Sequence, residues 1–112
     1  MPLDVARFQA DEVFHFYLGD TVRRLHLYPD GMGHIVRIGS DLRAGARPQI
    51  VVPGGVWQGA RLEPGTHGFA LLGTTMSPGY HFQDFTAGSI RDLTLAYPAW
   101  CDVISLLVMD DR

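Results

Sequence analysis

Turn-forming residues divide this chain at short and nearly regular intervals, and that punctuation limits the folds open to it. Gly19-Asp20, Pro29-Asp30-Gly31-Met32-Gly33, Pro53-Gly54-Gly55, Glu63-Pro64-Gly65 and Ser77-Pro78-Gly79 bound segments that are short for helices and ample for strands. Turns spaced by roughly 8–12 residues favour a sandwich or barrel over a parallel α/β sheet. Between the turns the residues alternate. In Asp11-Glu12-Val13-Phe14-His15-Phe16-Tyr17-Leu18-Gly19, Glu12, Phe14, Phe16 and Leu18 share one face, while Val13, His15 and Tyr17 share the other. Residues 21–28 alternate again, with Val22, Arg24, His26 and Tyr28 opposite Arg23, Leu25 and Leu27. The short Gly19-Asp20 link predicts that these two runs pair as a hairpin.

Further strands are expected over residues 34–38, 49–52, 56–62 and 69–76. Beyond residue 88 the apolar spacing turns helical, and Pro98 separates two short helices, 90–97 and 100–109. The second carries Val103, Ile104, Leu106, Leu107 and Met109, an apolar set that should lie against the barrel or against a second subunit. The expected fold is therefore all-β, an antiparallel barrel with short C-terminal helices.

A chain of 112 residues has enough length for one core, so residues 1–112 are read as one domain. Charged residues make up 19% of the chain and the net charge is -3, which leaves no basic field to attract a nucleic acid. The apolar runs fall well short of the roughly 20 residues that span a bilayer, so no membrane contact is expected. The start of the chain has no cationic stretch leading into an apolar one, and a cytoplasmic location is expected on that ground. Cys101 is the single cysteine, which rules out an internal disulfide; in a helix with no neighbouring base it reads as a buried structural thiol.

Two segments resemble the paired motifs of the cupins. The first cupin motif ends in a metal-binding Glu, six residues and a Gly, matched by Glu12 and Gly19. The second is a Pro-x-Gly-x-x-His turn, matched by Pro53-Gly54-Gly55-Val56-Trp57-Gln58 with Gln in the histidine place. Residues 11–20, 48–53, 57–60 and 77–80 with Asp84-Phe85 are similar to the fifth cupin family, a group of small proteins without a settled biochemical role. The similarity extends over about residues 5–98 and implies a cupin, or jelly-roll, antiparallel β-barrel of the RmlC-like kind. It begins late, because the family's N-terminal helix and early strands have no counterpart here, so either the barrel is trimmed or another chain completes it.

In the family frame Ala6, Phe8, Glu12 and Gln58 occupy the four metal positions, which offers one good ligand and one weak one. No metal and no other cofactor is expected. The resemblance sends Glu12 into the lumen beside Phe14 and Phe16, a placement that suits general acid or base work; the bland alternative is an ion pair with Arg24 or Arg61. Gln58 is expected to hold a carbonyl or hydroxyl oxygen. Gln49 is grouped with the ligand-binding residues, and Trp57 and Tyr80 would flank the mouth and stack on a ring. His15 and Tyr17 fall on the opposite face from Glu12, where an interface competes with an acid–base role. His26, His34, His67 and His81 have no spacing that demands convergence.

The function implied is small-molecule binding, with isomerisation, epimerisation, cyclisation or dehydration of a carbonyl-bearing metabolite as the economical chemistry. A metal-dependent dioxygenase and a non-catalytic binding module are the alternatives. A homodimer is expected, because a shortened barrel exposes strand edges and the Leu106-Leu107-Val108-Met109 end is too apolar to leave bare.

Overall fold

The computed structural model describes residues 3–77 and 85–104. Within these described residues eight strands follow one another as β1 (Leu3–Phe8), β2 (Asp11–Gly19), β3 (Val22–Leu27), β4 (Gly33–Ile38), β5 (Gln49–Val52), β6 (Trp57–Leu62), β7 (Ala70–Ser77) and β8 (Phe85–Ala87), with α1 (Ile90–Ala96) after them. They form two antiparallel sheets, one ordered β4-β3-β6-β1-β8 and the other β5-β2-β7. This is the jelly-roll arrangement, and the expected all-β class holds. Among the described residues before 88, the helical turn is a short 3-10 piece at Leu42–Ala44, where the Asp41 side chain accepts the Ala44 N–H.

The expected pairing of β2 with β3 is wrong, although both are strands. β3 pairs with β4 and β6, while β2 pairs with β5 and β7. The Gly19-Asp20 link is a corner at which the chain leaves one sheet for the other. Gly19 sits at φ 107, and a Cβ there would come within 2.3 Å of the Phe69 carbonyl oxygen, so only glycine fits. The buried Asp20 carboxylate then accepts the His67 and Gly68 N–H groups, the latter at 2.6 Å, which ties the corner to the loop before β7. Alternation reveals which face a residue occupies, and it carries no information about which strand lies alongside.

Two apolar layers result. Between the sheets, Val22, Ile38, Ile50 and Ala60 pack with Phe14, Phe16, Val36 and Leu72. On the outer face of the larger sheet, Leu25 and Leu27 meet Leu93, Tyr97 and Ile104 from the C-terminal helices, with Trp57, Trp100 and Val103 around them. The Ser89 side chain caps α1 by accepting the Asp92 N–H at 3.1 Å. Pro98 ends that helix, as a proline must. Tyr97 donates its hydroxyl to the Tyr28 carbonyl at 2.7 Å and so pins the helix to the end of β3. The second helix lies against the barrel as far as residue 104, and its Leu106 to Met109 end lies outside the described residues. Cys101 is exposed, contrary to the expectation of burial, because Ile104 and Val103 take the inward positions of that turn.

Candidate functional site

β2 carries Glu12 on the inner face of the smaller sheet, and β6 carries Gln58 on the inner face of the larger one. Each is 6% exposed, a level at which a polar side chain needs a partner. Gln58 Nε2 donates to Glu12 Oε1 at 3.0 Å, and Thr74 Oγ1 on β7 donates to Glu12 Oε2 at 2.6 Å. From the other side Arg24 Nη2 donates to Gln58 Oε1. The four side chains form one line across the interior, Arg24 to Gln58 to Glu12 and back from Thr74. Arg24 can only donate, so it fixes the Gln58 amide with its oxygen toward β3 and its nitrogen toward Glu12. Both Glu12 oxygens are then acceptors.

The loops explain why these strands meet. A Cβ on Gly54 would fall 2.1 Å from the Gln9 carbonyl oxygen, so the Pro53-Gly54-Gly55 corner is pressed against the turn between β1 and β2. The Gly54 N–H donates to Asp11 Oδ1 at 2.7 Å and the Gly55 N–H to the Phe8 carbonyl at 2.8 Å. Asp11 precedes Glu12 and Gly55 lies three residues before Gln58. The two motif segments are thus clamped together at one end of the barrel.

Arg24 and His26 lie two apart on the inner face of β3, at 3% and 2% exposure. In register, Arg24 is opposite Ala60, and His26 is opposite Gln58. The Arg24 guanidinium stacks on the Phe14 ring, with its carbon 3.8 Å from the ring centre. Burial pulls the Arg24 pKa down to about 10, with the Glu12 charge opposing that fall, so the group stays cationic at neutral pH. His26 is pulled down to about 4 by burial first, then by Arg24 and His34, and is a neutral imidazole at pH 7. Arg24 Nε and His26 Nε2 are both buried and have no hydrogen-bond partner.

The metal positions of the family frame come together as neighbours: Ala6 is the register partner of Gln58, and Phe8 lies two residues further along β1. A methyl group, a phenyl ring, an amide and one carboxylate beside a fixed guanidinium do not fit a transition-metal ion. Among the described residues no three His, Cys, Asp or Glu side chains converge.

Of the remaining residues singled out from sequence, Phe14 and Phe16 pack inside the barrel close to this line. The others lie elsewhere. Trp57 is on the reverse face of β6 from Gln58, under the Arg7 guanidinium at 4.5 Å and against the helical layer. Gln49 is exposed on the edge strand β5, opposite His15. His15 Nε2 meets Thr75 Oγ1 at 3.3 Å and Tyr17 is 61% exposed, both on the outer face of the smaller sheet. Tyr80 and His81 lie outside the described residues. A separate cleft of about 290 Å³ is lined by Asp20, Arg37, Glu63 and His67. Its charges are taken up internally, since Arg37 holds Glu63 through two hydrogen bonds of 2.7 and 2.9 Å and keeps that carboxyl below its usual range.

Arg24, His26 and Thr74 are the site members that motif reading passed over. The signal for the first two was present in β3, where Arg24 and His26 share a face with Val22 while Leu25 and Leu27 fill the other. Two polar groups on the inward face of a buried strand mark a polar spot within the interior.

A family model described as Cupin superfamily (DUF985) matches residues 3–88. The uncharacterized protein YML079W of Saccharomyces cerevisiae is 38% identical over 88 residues, which make up 76% of this chain and 43% of the yeast protein. The crystal structure of protein SO0799 from Shewanella oneidensis superposes with a TM-score of 0.85 at 35% identity, over 93% of this chain and 65% of that one. A hypothetical protein from Leishmania major shares the fold, with a TM-score of 0.86 at 24% identity over 95% of this chain and 68% of that chain. The chain therefore spans less than two thirds of the length of the yeast and Shewanella proteins.

Proposed function

Because this chain belongs to the Cupin superfamily (DUF985) family, we propose that its barrel binds a small carbonyl-bearing metabolite and moves a proton on it, with Glu12 as the base. The observation that carries this reading is the hydrogen bonding of Glu12, whose two oxygens accept from Gln58 at 3.0 Å and Thr74 at 2.6 Å. A carboxylate held as an acceptor by two neutral donors is oriented to take a proton. Gln58 spends one amide hydrogen on Glu12 and has a second for the oxygen on which negative charge develops. Glu12 takes a proton from the carbon beside the carbonyl, the carbonyl oxygen gains the electron density, and the proton returns to the same or a neighbouring atom. Isomerisation and epimerisation follow from such a step, and where a hydroxyl stands on the next carbon the enolate expels it as water with the proton that Glu12 took up, which is dehydration.

Solvent-exchange NMR tests this directly. Small aldehydes, ketones and 2-oxo acids in D₂O are followed for loss of the proton beside the carbonyl. Wild-type protein is expected to accelerate exchange in at least one of them, and Glu12→Gln to slow it on the order of 10²–10⁴-fold while remaining folded, the usual contribution of a general base. Exchange unchanged in Glu12→Gln would remove Glu12 from the chemistry.

A binding module without catalysis is the second reading, and the packing of Phe14 and Phe16 into the apolar layer between the sheets favours it. The same reading of the molecule includes a homodimer. Tyr17, Val51 and Leu71, 61%, 56% and 51% exposed, lie on the smaller sheet and support it.

A further inference from the structure

We infer that the ligand of this barrel carries a carboxylate, and that Arg24 with His26 is its seat. The inference rests on the proton-transfer reading for the identity of the site and goes beyond it in naming the substrate class, small 2-oxo or 3-oxo carboxylic acids.

The argument starts from charge. Arg24 is a buried cation, and among the described residues no carboxylate forms an ion pair with it. Its single hydrogen-bonded contact is through a neutral amide, because Gln58 stands between it and Glu12. Glu12 offsets part of the cost of burying this charge from beyond the amide, burial still outweighs it, and an unfilled donor on the guanidinium adds to the cost. The Arg24 Nε–H is such a donor. His26 Nε2 is a second unsatisfied nitrogen, on the same inward face from a backbone position two residues and so roughly 7 Å further along the strand. As a neutral imidazole protonated on Nε2, His26 donates without adding a second charge.

The remaining groups suit the rest of such a molecule. Glu12 repels an anion, so the carboxylate is steered to the β3 side of Gln58 and the carbon chain points toward the base. The Gln58 amide lies between the two ends, where the keto oxygen of a 2-oxo acid would fall. The Phe14 ring beneath the guanidinium holds it in plane and excludes water from its lower face. Arginine suits a planar carboxylate through its fixed fork of donors, and lysine does not reproduce it.

Ligand-observed NMR and calorimetry with 2-oxobutyrate, and with its neutral amide 2-oxobutyramide, test the inference at pH 7. Wild-type protein is expected to bind the acid at least 10-fold more tightly than the amide. Arg24→Gln should remove that preference, Arg24→Lys should restore only part of it, and Glu12→Gln should keep or strengthen it. Circular dichroism and urea midpoints confirm which variants are folded; if Arg24→Gln is not, the wild-type comparison of acid with amide decides alone. Equal binding of acid and amide, or no binding of either at millimolar concentration, overturns the inference. A crystal soaked with 2-oxobutyrate should place a carboxylate oxygen within hydrogen-bond distance of Arg24 Nε; a lone water bridging Arg24 and His26 with the acid elsewhere overturns it as well. Preferential binding of the acid without any proton exchange keeps the carboxylate seat and refutes the proton-transfer reading, so the two fail separately.

Discussion

His26 shows how one side chain ties the interior to solution conditions. Its pKa of about 4 in the fold, set by burial and then by Arg24 and His34, lies below the 6.5 of an unperturbed imidazole. On acidification the unfolded chain takes up this proton first, so the folded state loses stability as pH falls from about 6.5 to about 4 and retains the full contribution above that window. Gln58 faces His26 from β6 and His34 from β4, and neither offers it a negative charge. Urea denaturation at pH 7 and at pH 4.5 should show a loss on the order of 2 kcal/mol that is absent in His26→Leu. A wild-type slope identical to that of the variant would mean that His26 is solvated. The same residue illustrates the limit of motif reading. Glu12 and Gln58 were visible because a motif names their positions, and their mutual 3.0 Å bond follows the geometry that the motif implies. Arg24 and Thr74 belong to no motif; their contacts arise from strands 34 residues and 62 residues distant in sequence from their partners, and spacing carries no trace of such pairs.

At the level of elements, the corner Pro53-Gly54-Gly55 does more than turn the chain. It is pressed onto Gln9 at a distance that admits no side chain on Gly54, and it hydrogen-bonds to Asp11 beside Glu12. Gly54→Ala should therefore cost about 2–3 kcal/mol through forced separation of the corner from the β1–β2 turn. It should also loosen Gln58 from Glu12, so carbonyl-compound exchange should fall more than the loss of folded protein accounts for. Thermal unfolding and exchange measured on the same samples check both, and unaltered activity per folded molecule would show that the corner does not position the site. Strand positions were legible from alternation and turn residues in six of the segments, since a half-buried strand writes its two faces into the sequence. β1 was not, because Leu3-Asp4-Val5-Ala6-Arg7-Phe8 mixes polar and apolar residues on both faces. Nor was the passage from β2 to β3 between sheets legible, since it depends on the contacts of Asp20 with residues 67 and 68.

For the whole molecule, the two sheets differ in what covers them. The larger sheet is shielded by α1 and the turns after it, whereas the outer face of the smaller sheet presents Tyr17, Val51 and Leu71. Apolar side chains exposed on an uncovered sheet are the usual mark of association. Light scattering at micromolar concentration is expected to give the mass of a dimer, and Val51→Glu with Leu71→Glu to shift it to that of a monomer. A monomeric wild-type chain would set this expectation aside. None of the described helices is long and apolar enough to cross a membrane.

The interposed amide has a consequence for how protons travel. An amide conducts hydrogen-bond order and does not conduct protons, since its N–H does not ionise in the working range, so Gln58 is an insulator between the Arg24 cation and the Glu12 carboxylate. A hydroxyl can pass a proton in either direction. Thr74 is that hydroxyl, and it is exposed on the edge strand β7 while Glu12 is buried behind it. The line of four side chains is therefore asymmetric: the Glu12 carboxylate meets an exposed hydroxyl on its β7 side, and on its β3 side an amide that holds the guanidinium apart from it.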